Sequence, residues 1–152
     1  MYSQRIVDEH NEQCKKLMEM LPWGPWKNEP HRVEFESHGL RCLLSRNPVL
    51  GQWCGYVGVP PLHPAYKQDE LGLKISVHGG ATYGSECHGW VCHKPVGNEP
   101  DSLFWIGFDC GHFGDLIPGV PFELPGHSYK EVDYVIKECK ELARQLSEMR
   151  LP

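Results

Sequence analysis

The sequence contains no apolar run that approaches the roughly 20 residues needed for a membrane-spanning helix. It also has no surplus of positive charge, since 15 Lys and Arg residues stand against 20 Asp and Glu residues and the net charge is −5. Such a balance argues against sequence-independent binding to nucleic acid, which depends on Lys and Arg contacts to phosphate. We therefore predict that the protein binds neither membranes nor nucleic acid.

Cysteine pairs of the kind found in disulfide frameworks and zinc knuckles are also missing. The seven cysteines are odd in number and include no pair separated by two residues. Residues 1–5 lead into a charged segment and not into the apolar core of an export signal. We expect a cytoplasmic protein whose cysteines are mostly reduced thiols.

A helical pattern at each end of the chain is the clearest feature that is present. Residues 3–21 carry apolar side chains at helical spacing, and Pro22 ends the pattern. A longer apolar stripe follows Ser128 and Glu131, which we interpret as a capping box at the start of the last helix. With 152 residues, 40% of them hydrophobic, the chain can form one packed core, and we treat 1–152 as a single domain.

Short apolar or alternating segments between these helices predict about five β-strands. No helical pattern separates the strands, which favours an α+β fold over a parallel, doubly wound sheet. We expect an antiparallel sheet with the N-terminal and C-terminal helices packed on one of its faces. The predicted strands lie at positions 31–38, 40–45, 52–59, 73–77 and 103–108.

Polar, chemically active side chains follow the last predicted strand directly. Glycines separate them, and glycine lets a backbone turn tightly and approach a ligand closely. The stretch after the 73–77 segment has the same character, so the two loops should meet if the strands are neighbours. The first set is Asp109, Cys110, His112 and Asp115, and the second is His78, Gly79, Gly80 and Thr82.

Several kinds of chemistry suit these two loops, and the sequence leaves the choice open. Glycine N–H groups can hold an anion in a backbone nest, and the imidazoles and carboxylates can act as acid and base. Cys110 can serve as a nucleophile beside His78 or His112. The aromatic side chains that could stack against a planar ligand are Tyr56, Tyr83, Trp90 and Trp105.

A metal site is a weaker interpretation of the same region. Zinc is usually held by cysteine and histidine, and Cys87, Cys92, Cys110 and His112 are the candidate ligands. A site of His78, His112 and Asp109 is another arrangement. Adjacent Cys-His pairs on a strand point to opposite faces, so at most one member of each pair would bind. We predict no cofactor and keep zinc as an alternative.

Four segments resemble an uncharacterised family of small phage, prophage and bacterial proteins. They are CGYVGVPPLHP at 54–64, VHGGAT at 77–82, GFDCGHFGD at 107–115 and the helix start from Tyr129 to Tyr134. The chain has Gly111 and Phe113 where the family pattern leads us to expect alanine. The resemblance implies a mobile-element context, and hence the host cytoplasm, but no established activity.

From these observations we expect a small-molecule-binding protein whose ligand is derived from a nucleotide. In a phage context such a protein would sequester a host immune signal. One alternative is a hydrolase with a His/Asp/Cys site, and another is a protein-binding inhibitor. A pocket shared within a homo-oligomer would suit so small a domain. The expected ligand-binding residues are Tyr56, His78, Gly79, Gly80, Thr82, Tyr83, Trp105, Asp109, His112 and Asp115.

Overall fold

The computed structural model describes residues 1–69, 72–97, 102–120 and 125–150. It has the predicted α+β arrangement of one five-stranded antiparallel sheet with a helix at each end of the chain. None of the described helices is long and apolar enough to cross a membrane. The elements are α1 (Gln4–Met20), a 3-10 turn (Pro25–Asn28), β1 (Arg32–Ser37), β2 (Leu40–Arg46), β3 (Trp53–Val59), β4 (Tyr83–Glu86), β5 (Phe104–Asp109) and α2 (Val132–Ser147).

The sheet has the strand order β1-β2-β3-β5-β4, and every neighbouring pair is antiparallel. Strand β5 therefore lies inside the sheet, as its continuous apolar run predicts. The apolar stripe of α2 packs on one face of the sheet, because alternate strand residues point to that face. This main core includes Leu44, Val57, Ile106 and Phe108 from the strands, and Val135, Cys139, Leu142, Ala143 and Leu146 from α2.

The opposite face carries a smaller core of Leu43, Tyr56 and Trp105, which the loop 87–92 covers. A disulfide between Cys87 and Cys92 closes this loop, so these two are exceptions to the expectation that most cysteines are reduced. The five other cysteines are free thiols. A short loop whose ends are held together by tertiary packing can bring two cysteines into bonding range without any framework in the sequence.

Helix α1 lies away from the face that α2 covers, which differs from the expected placement of both helices together. His10 of α1 stacks on Trp90 of the disulfide loop, with ring centroids 4.3 Å apart. The same imidazole donates from Nε2 to the carbonyl oxygen of Arg46 at 2.8 Å. The apolar side of α1 therefore packs against loops at the ends of the strands and not against the main core.

The segment 73–77 is not a strand, and β4 pairs with β5 instead. Its alternation has another cause, since Leu73, Ile75 and Val77 pack against the main core at every second position. The polar side of this extended segment is satisfied by α2. The side chain of Gln145 accepts from the backbone N–H of Ser76 and donates to its carbonyl oxygen, both at 2.7 Å.

The predicted capping box at Ser128 and Glu131 is also wrong. Helix α2 begins at Val132, and neither of the two side chains caps it. The first N–H of the helix instead donates to Oε2 of Glu29 at 2.6 Å, across a sequence separation of 103 residues. Glu29, a distant residue, thus accepts from the N–H group that a local capping motif would otherwise satisfy.

Glu29 forms a buried ion pair with Arg46, and several elements are joined through it. The Arg46 side chain is 0% exposed and that of Glu29 is 8% exposed, with Nη2 and Oε1 2.9 Å apart. Oε1 of Glu29 also accepts from Nε1 of Trp53 at 3.2 Å and from the hydroxyl of Tyr129. The guanidinium of Arg46 lies 4.4 Å from the centre of the Trp53 ring.

Replacing Glu29 by glutamine should destabilise the protein strongly. Breaking one side of a buried ion pair leaves an uncompensated charge, and such changes cost about 3–5 kcal/mol. We expect a loss of that size for Glu29→Gln in the free energy of unfolding measured with urea. Glu12→Gln, on the exposed side of α1, is the matched control and should stay within about 0.5 kcal/mol of the wild type. Equal stability of the two variants would contradict this role for Glu29.

Candidate functional site

The two glycine-containing loops meet, although the segment 73–77 is not the neighbouring strand on which that expectation depended. Nε2 of His78 lies 2.8 Å from Oδ2 of Asp115, although the two residues are 37 positions apart. The imidazole rings of His78 and His112 have centroids 6.4 Å apart. We call the loops 77–82 and 109–115, together with Lys130 and Tyr134, the two-loop site.

Asp115 is the innermost polar group of the two-loop site, with a side chain that is only 1% exposed. Its carboxylate accepts from His78, from the backbone N–H of His112 at 3.0 Å and from Nζ of Lys130 at 3.1 Å. Burial alone would raise its pKa, but these donors outweigh burial and hold the pKa below the usual value. Asp115 is therefore an ionised carboxylate over the whole physiological pH range.

The ionised state of Asp115 fixes the tautomer of a neutral His78. A carboxylate can only accept, so Nε2 of His78 must donate to it. Nδ1 is then the acceptor, and the hydroxyl of Tyr134, 2.8 Å away, donates to it. The backbone N–H of His78 donates to Oε1 of Glu138 at 2.8 Å. A directed chain of hydrogen bonds thus runs from Tyr134 through His78 to Asp115, and we call it the relay.

Asp109 and His112 form a second and more exposed pair beside the relay. Oδ1 of Asp109 accepts from the N–H of Gly111 at 2.9 Å, and Oδ2 accepts from the hydroxyl of Thr82 at 3.0 Å. Nε2 of His112 lies 3.4 Å from Oδ1 of Asp109. The side chains of His112 and Asp109 are 35% and 31% exposed, so both are open to a ligand.

The glycines shape the loops, and three of the loop amides are not available for the anion nest that was one of the alternatives. Gly79 has φ +68°, and the N–H of Gly80 donates to the carbonyl oxygen of Val77 at 2.8 Å, which closes a tight turn. The N–H groups of Gly111 and His112 donate to the two carboxylates of the site. Because these three amides already have partners inside the protein, they are not directed at a ligand.

Cys110 is placed in the main core, which argues against the predicted nucleophile. Its side chain belongs to the cluster under α2, and the residue is 2% exposed. Burial, followed by the nearby charges of Asp115 and Asp109, raises the pKa of the thiol well above its usual value. A protonated, enclosed thiol is a small apolar side chain and not an attacking group.

The predicted stacking residues do not lie on an open surface. Trp105 is 1% exposed and Tyr56 is 7% exposed, and both belong to the smaller core. Tyr83 meets Tyr56 edge to face, with centroids 5.0 Å apart, and Trp90 is the ring that stacks on His10. These aromatic side chains hold the second face of the sheet together, so they do not form the platform that the sequence led us to expect.

The predicted zinc ligands are separated in the structure. Cys87 and Cys92 are bonded to each other, and Cys110 lies in the main core while His112 points into the two-loop site. Within the described parts of the chain, no group of three or more His, Cys, Asp or Glu side chains is arranged to hold a metal ion. The geometry therefore gives no support to the zinc alternative at these residues.

Two residues of the site, Lys130 and Tyr134, were missed by reasoning from the sequence. Both lie in the segment Tyr129–Tyr134 that carries part of the family resemblance, but nothing in their spacing indicates contact with His78 or Asp115. Comparison with protein-family models, curated proteins and solved structures finds no match for the chain. Only the geometry of the site therefore bears on function.

Alanine substitution at the two glycines of the first loop should separate backbone strain from steric conflict. Both have positive φ, but a Cβ on Gly79 would lie 2.2 Å from Cδ2 of His112, whereas one on Gly80 meets nothing within 4 Å. We expect Gly80→Ala to cost about 1–2 kcal/mol of stability through backbone strain alone. Gly79→Ala should cost about 1–3 kcal/mol more through overpacking, and should shift the His112 imidazole signals in NMR spectra. Identical costs and unshifted signals would argue against this packing.

Asparagine at position 115 should change how stability depends on acid. The pKa of Asp115 is lowered in the folded state, so its contribution is complete above the usual pKa of 3.8 and is lost as pH falls through the folded value. Asp115→Asn should therefore be less stable than the wild type at pH 7, with a difference that shrinks below about pH 4. Urea unfolding midpoints over this pH range measure it. Asp8→Asn, on the surface of α1, is the control, and a constant difference for Asp115→Asn would contradict the assignment.

Proposed function

We propose that the protein is a hydrolase that uses general acid–base catalysis at the two-loop site to cleave a phosphoester bond in a nucleotide-like molecule. The observation that carries this proposal is the presence of two imidazoles side by side, each with its own carboxylate. One pair is His78 with Asp115, and the other is His112 with Asp109. General acid–base catalysis needs one group to take a proton and another to give one, both near the reacting bond.

Asp115 supports a chemical use of His78 because it orients the imidazole ring. A carboxylate that accepts from one ring nitrogen fixes the tautomer and stabilises the imidazolium that forms when the other nitrogen takes a proton. Asp115 does this for His78 at 2.8 Å. Oδ1 of Asp109 lies 3.4 Å from Nε2 of His112 without accepting a hydrogen bond from it, so this carboxylate favours a positive charge on the ring but does not fix its tautomer.

A phosphoester suits the site better than an acyl substrate. Acyl transfer generally uses an activated nucleophile and free N–H groups that hold an oxyanion. Here Cys110 is enclosed, and the loop amides of Gly80, Gly111 and His112 donate within the protein. Displacement at phosphorus can instead proceed with water as the attacking group, an acid and a base in line, and nearby positive charge. An imidazolium at His112 would supply that charge, since Lys130 is already paired with Asp115.

The nucleotide-like part of the substrate is supported by side chains at the open rim of the site. Thr82 is exposed, and with Asp109 it offers polar oxygen atoms to ribose hydroxyls. Phe113, at the tip of the second loop, is 95% exposed and could cover the face of a base. The same features suit a protein that binds such a ligand and leaves it intact, as in sequestration of a signalling nucleotide, which is our second candidate.

A third candidate, a protein-binding inhibitor, is favoured by a different surface. Met20 and Val49 are 83% and 72% exposed and line a shallow pocket of about 310 Å³ together with Leu17 and Pro48. Exposed apolar surface of this kind is common at protein interfaces. It lies at the C-terminal end of α1 and shares no lining residue with the two-loop site, so changes at the two surfaces separate this candidate from the others.

Substitutions in the second pair should abolish turnover without loss of fold. We expect the wild type to release 4-nitrophenol from bis(4-nitrophenyl) phosphate, and to convert members of a panel of cyclic nucleotides and ADP-ribose. His112→Ala and Asp109→Asn should each lower kcat by about 10²–10⁴-fold, the usual contribution of a positioned acid or base. His88→Ala, at an exposed histidine of the disulfide loop, should retain full activity.

Native mass spectrometry of the same incubations gives the outcomes that decide against hydrolysis. A panel member retained unchanged at stoichiometric amounts, without product, would replace the hydrolase with the binding protein. If neither product nor retained ligand is found, both the hydrolase and the binding protein are contradicted. The protein-binding inhibitor with its surface around Met20 is then the leading candidate. The same spectra report whether the protein is a monomer or a homo-oligomer.

A further inference from the structure

The geometry points to Tyr134 as the residue that exchanges a proton with the substrate or the attacking water, with His78 as a positioning residue behind it. This inference rests on the proposed function, since it assigns the group through which the first His–Asp pair acts. Tyr134 is 38% exposed. Its hydroxyl donates to Nδ1 of His78 at 2.8 Å, and the two rings meet edge to face with centroids 5.4 Å apart.

Both ring nitrogens of His78 already form hydrogen bonds within the protein, and this is the main reason to assign the proton exchange to Tyr134. Nε2 donates to Asp115 and Nδ1 accepts from Tyr134, and the side chain of His78 is only 15% exposed. A substrate proton therefore cannot reach His78 directly while the relay is formed. The outermost member of the relay is the phenolic oxygen of Tyr134, which still has acceptor capacity while it donates to His78.

In the hydrolytic step, the relay acts as the base. The water proton moves to Oη of Tyr134 while the proton that Tyr134 carried moves to Nδ1 of His78. The electron pair of the broken O–H bond forms the new bond from water oxygen to phosphorus. The bond from phosphorus to the leaving oxygen breaks, and that oxygen keeps its electron pair and takes a proton from an imidazolium at His112. One proton has then passed from His112 to His78, and exchange with solvent restores both rings.

The surroundings of Tyr134 favour a proton shuttle over a covalent nucleophile. Burial, followed by the negative charges of Glu138 and Asp115, raises the pKa of the phenol above its usual value. The resting side chain is therefore a protonated hydroxyl that hands its own proton inward as it takes one. A free phenolate, which an attack on phosphorus by Tyr134 itself would need, is opposed by these acidic neighbours.

The test compares single and double variants with bis(4-nitrophenyl) phosphate as substrate. Tyr134→Phe should lower kcat about 100-fold or more and leave KM within about threefold, because the hydroxyl moves a proton and does not hold the substrate. His78→Gln should lower kcat to the same extent, and the double variant should fall no further, since the two residues act as one unit. Tyr66→Phe is the matched control, because it removes a hydroxyl that donates only to the carbonyl oxygen of Ser102.

Each other outcome has a definite meaning. Wild-type kcat in a folded Tyr134→Phe variant would overturn the role of Tyr134 and leave the proposed hydrolase intact. Losses that multiply in the double variant would show that Tyr134 and His78 act separately, which contradicts the relay. A phosphorylated Tyr134 trapped by mass spectrometry would show a nucleophile instead of a shuttle. A wild type that hydrolyses nothing would remove the proposed function itself, and with it this inference.

Discussion

The buried ion pair between Glu29 and Arg46 is the interaction on which the placement of the other elements depends. Two opposite charges in the interior are costly to desolvate, and a pair of this kind is not by itself a reason for high stability. The pair is important because of the elements that it joins. The carboxylate of Glu29 accepts from Arg46 at the end of β2, from Trp53 at the start of β3 and from the first N–H of α2. One side chain in a short connector thus determines where the sheet ends and where the last helix begins.

The start of α2 in turn determines the site. Tyr134 lies two residues after Val132, whose N–H meets Glu29, and it is the outer member of the relay. The second loop is tied to the same region, since the N–H of Leu116 donates to the carbonyl oxygen of Ser128 at 2.8 Å and the N–H of Ser128 donates to that of Gly114 at 2.9 Å. The two His–Asp pairs lie on loops, but the second loop is held against the segment that leads into α2, and the first turn of that helix is bonded to Glu29. Such support is what keeps a loop-borne site in one geometry.

The parts of this structure that the sequence could predict are those whose cause is local. Periodicity identified both helices and four of the five strands, and the glycine-spaced polar clusters identified the two loops that meet. The segment 73–77 was predicted as a strand because an extended chain that packs on a helix also alternates apolar and polar side chains. Its backbone is hydrogen-bonded to the side chain of Gln145 and not to a neighbouring strand. The partner of Val132 lies 103 residues away in an irregular connector, and no pattern along the chain encodes that distance. Tyr134 was missed for the same reason, and Trp105 was misplaced because exposure cannot be read from residue type.

The polar groups of the site exceed what folding requires of them. Burial of Asp115 calls for hydrogen-bond donors, and Lys130 and the backbone N–H of His112 already supply two. His78 adds a third, and its other nitrogen, near the surface, could be satisfied by solvent. Instead it is bonded to Tyr134, which is itself partly exposed, and a second imidazole–carboxylate pair lies alongside. A purely structural role requires only that the carboxylate of Asp115 has hydrogen-bond donors. It does not require the relay to reach the surface at Tyr134, or a second pair, His112 and Asp109, beside it. That surplus of ordered, accessible proton donors and acceptors is the physical reason for favouring chemistry over architecture at this end of the sheet.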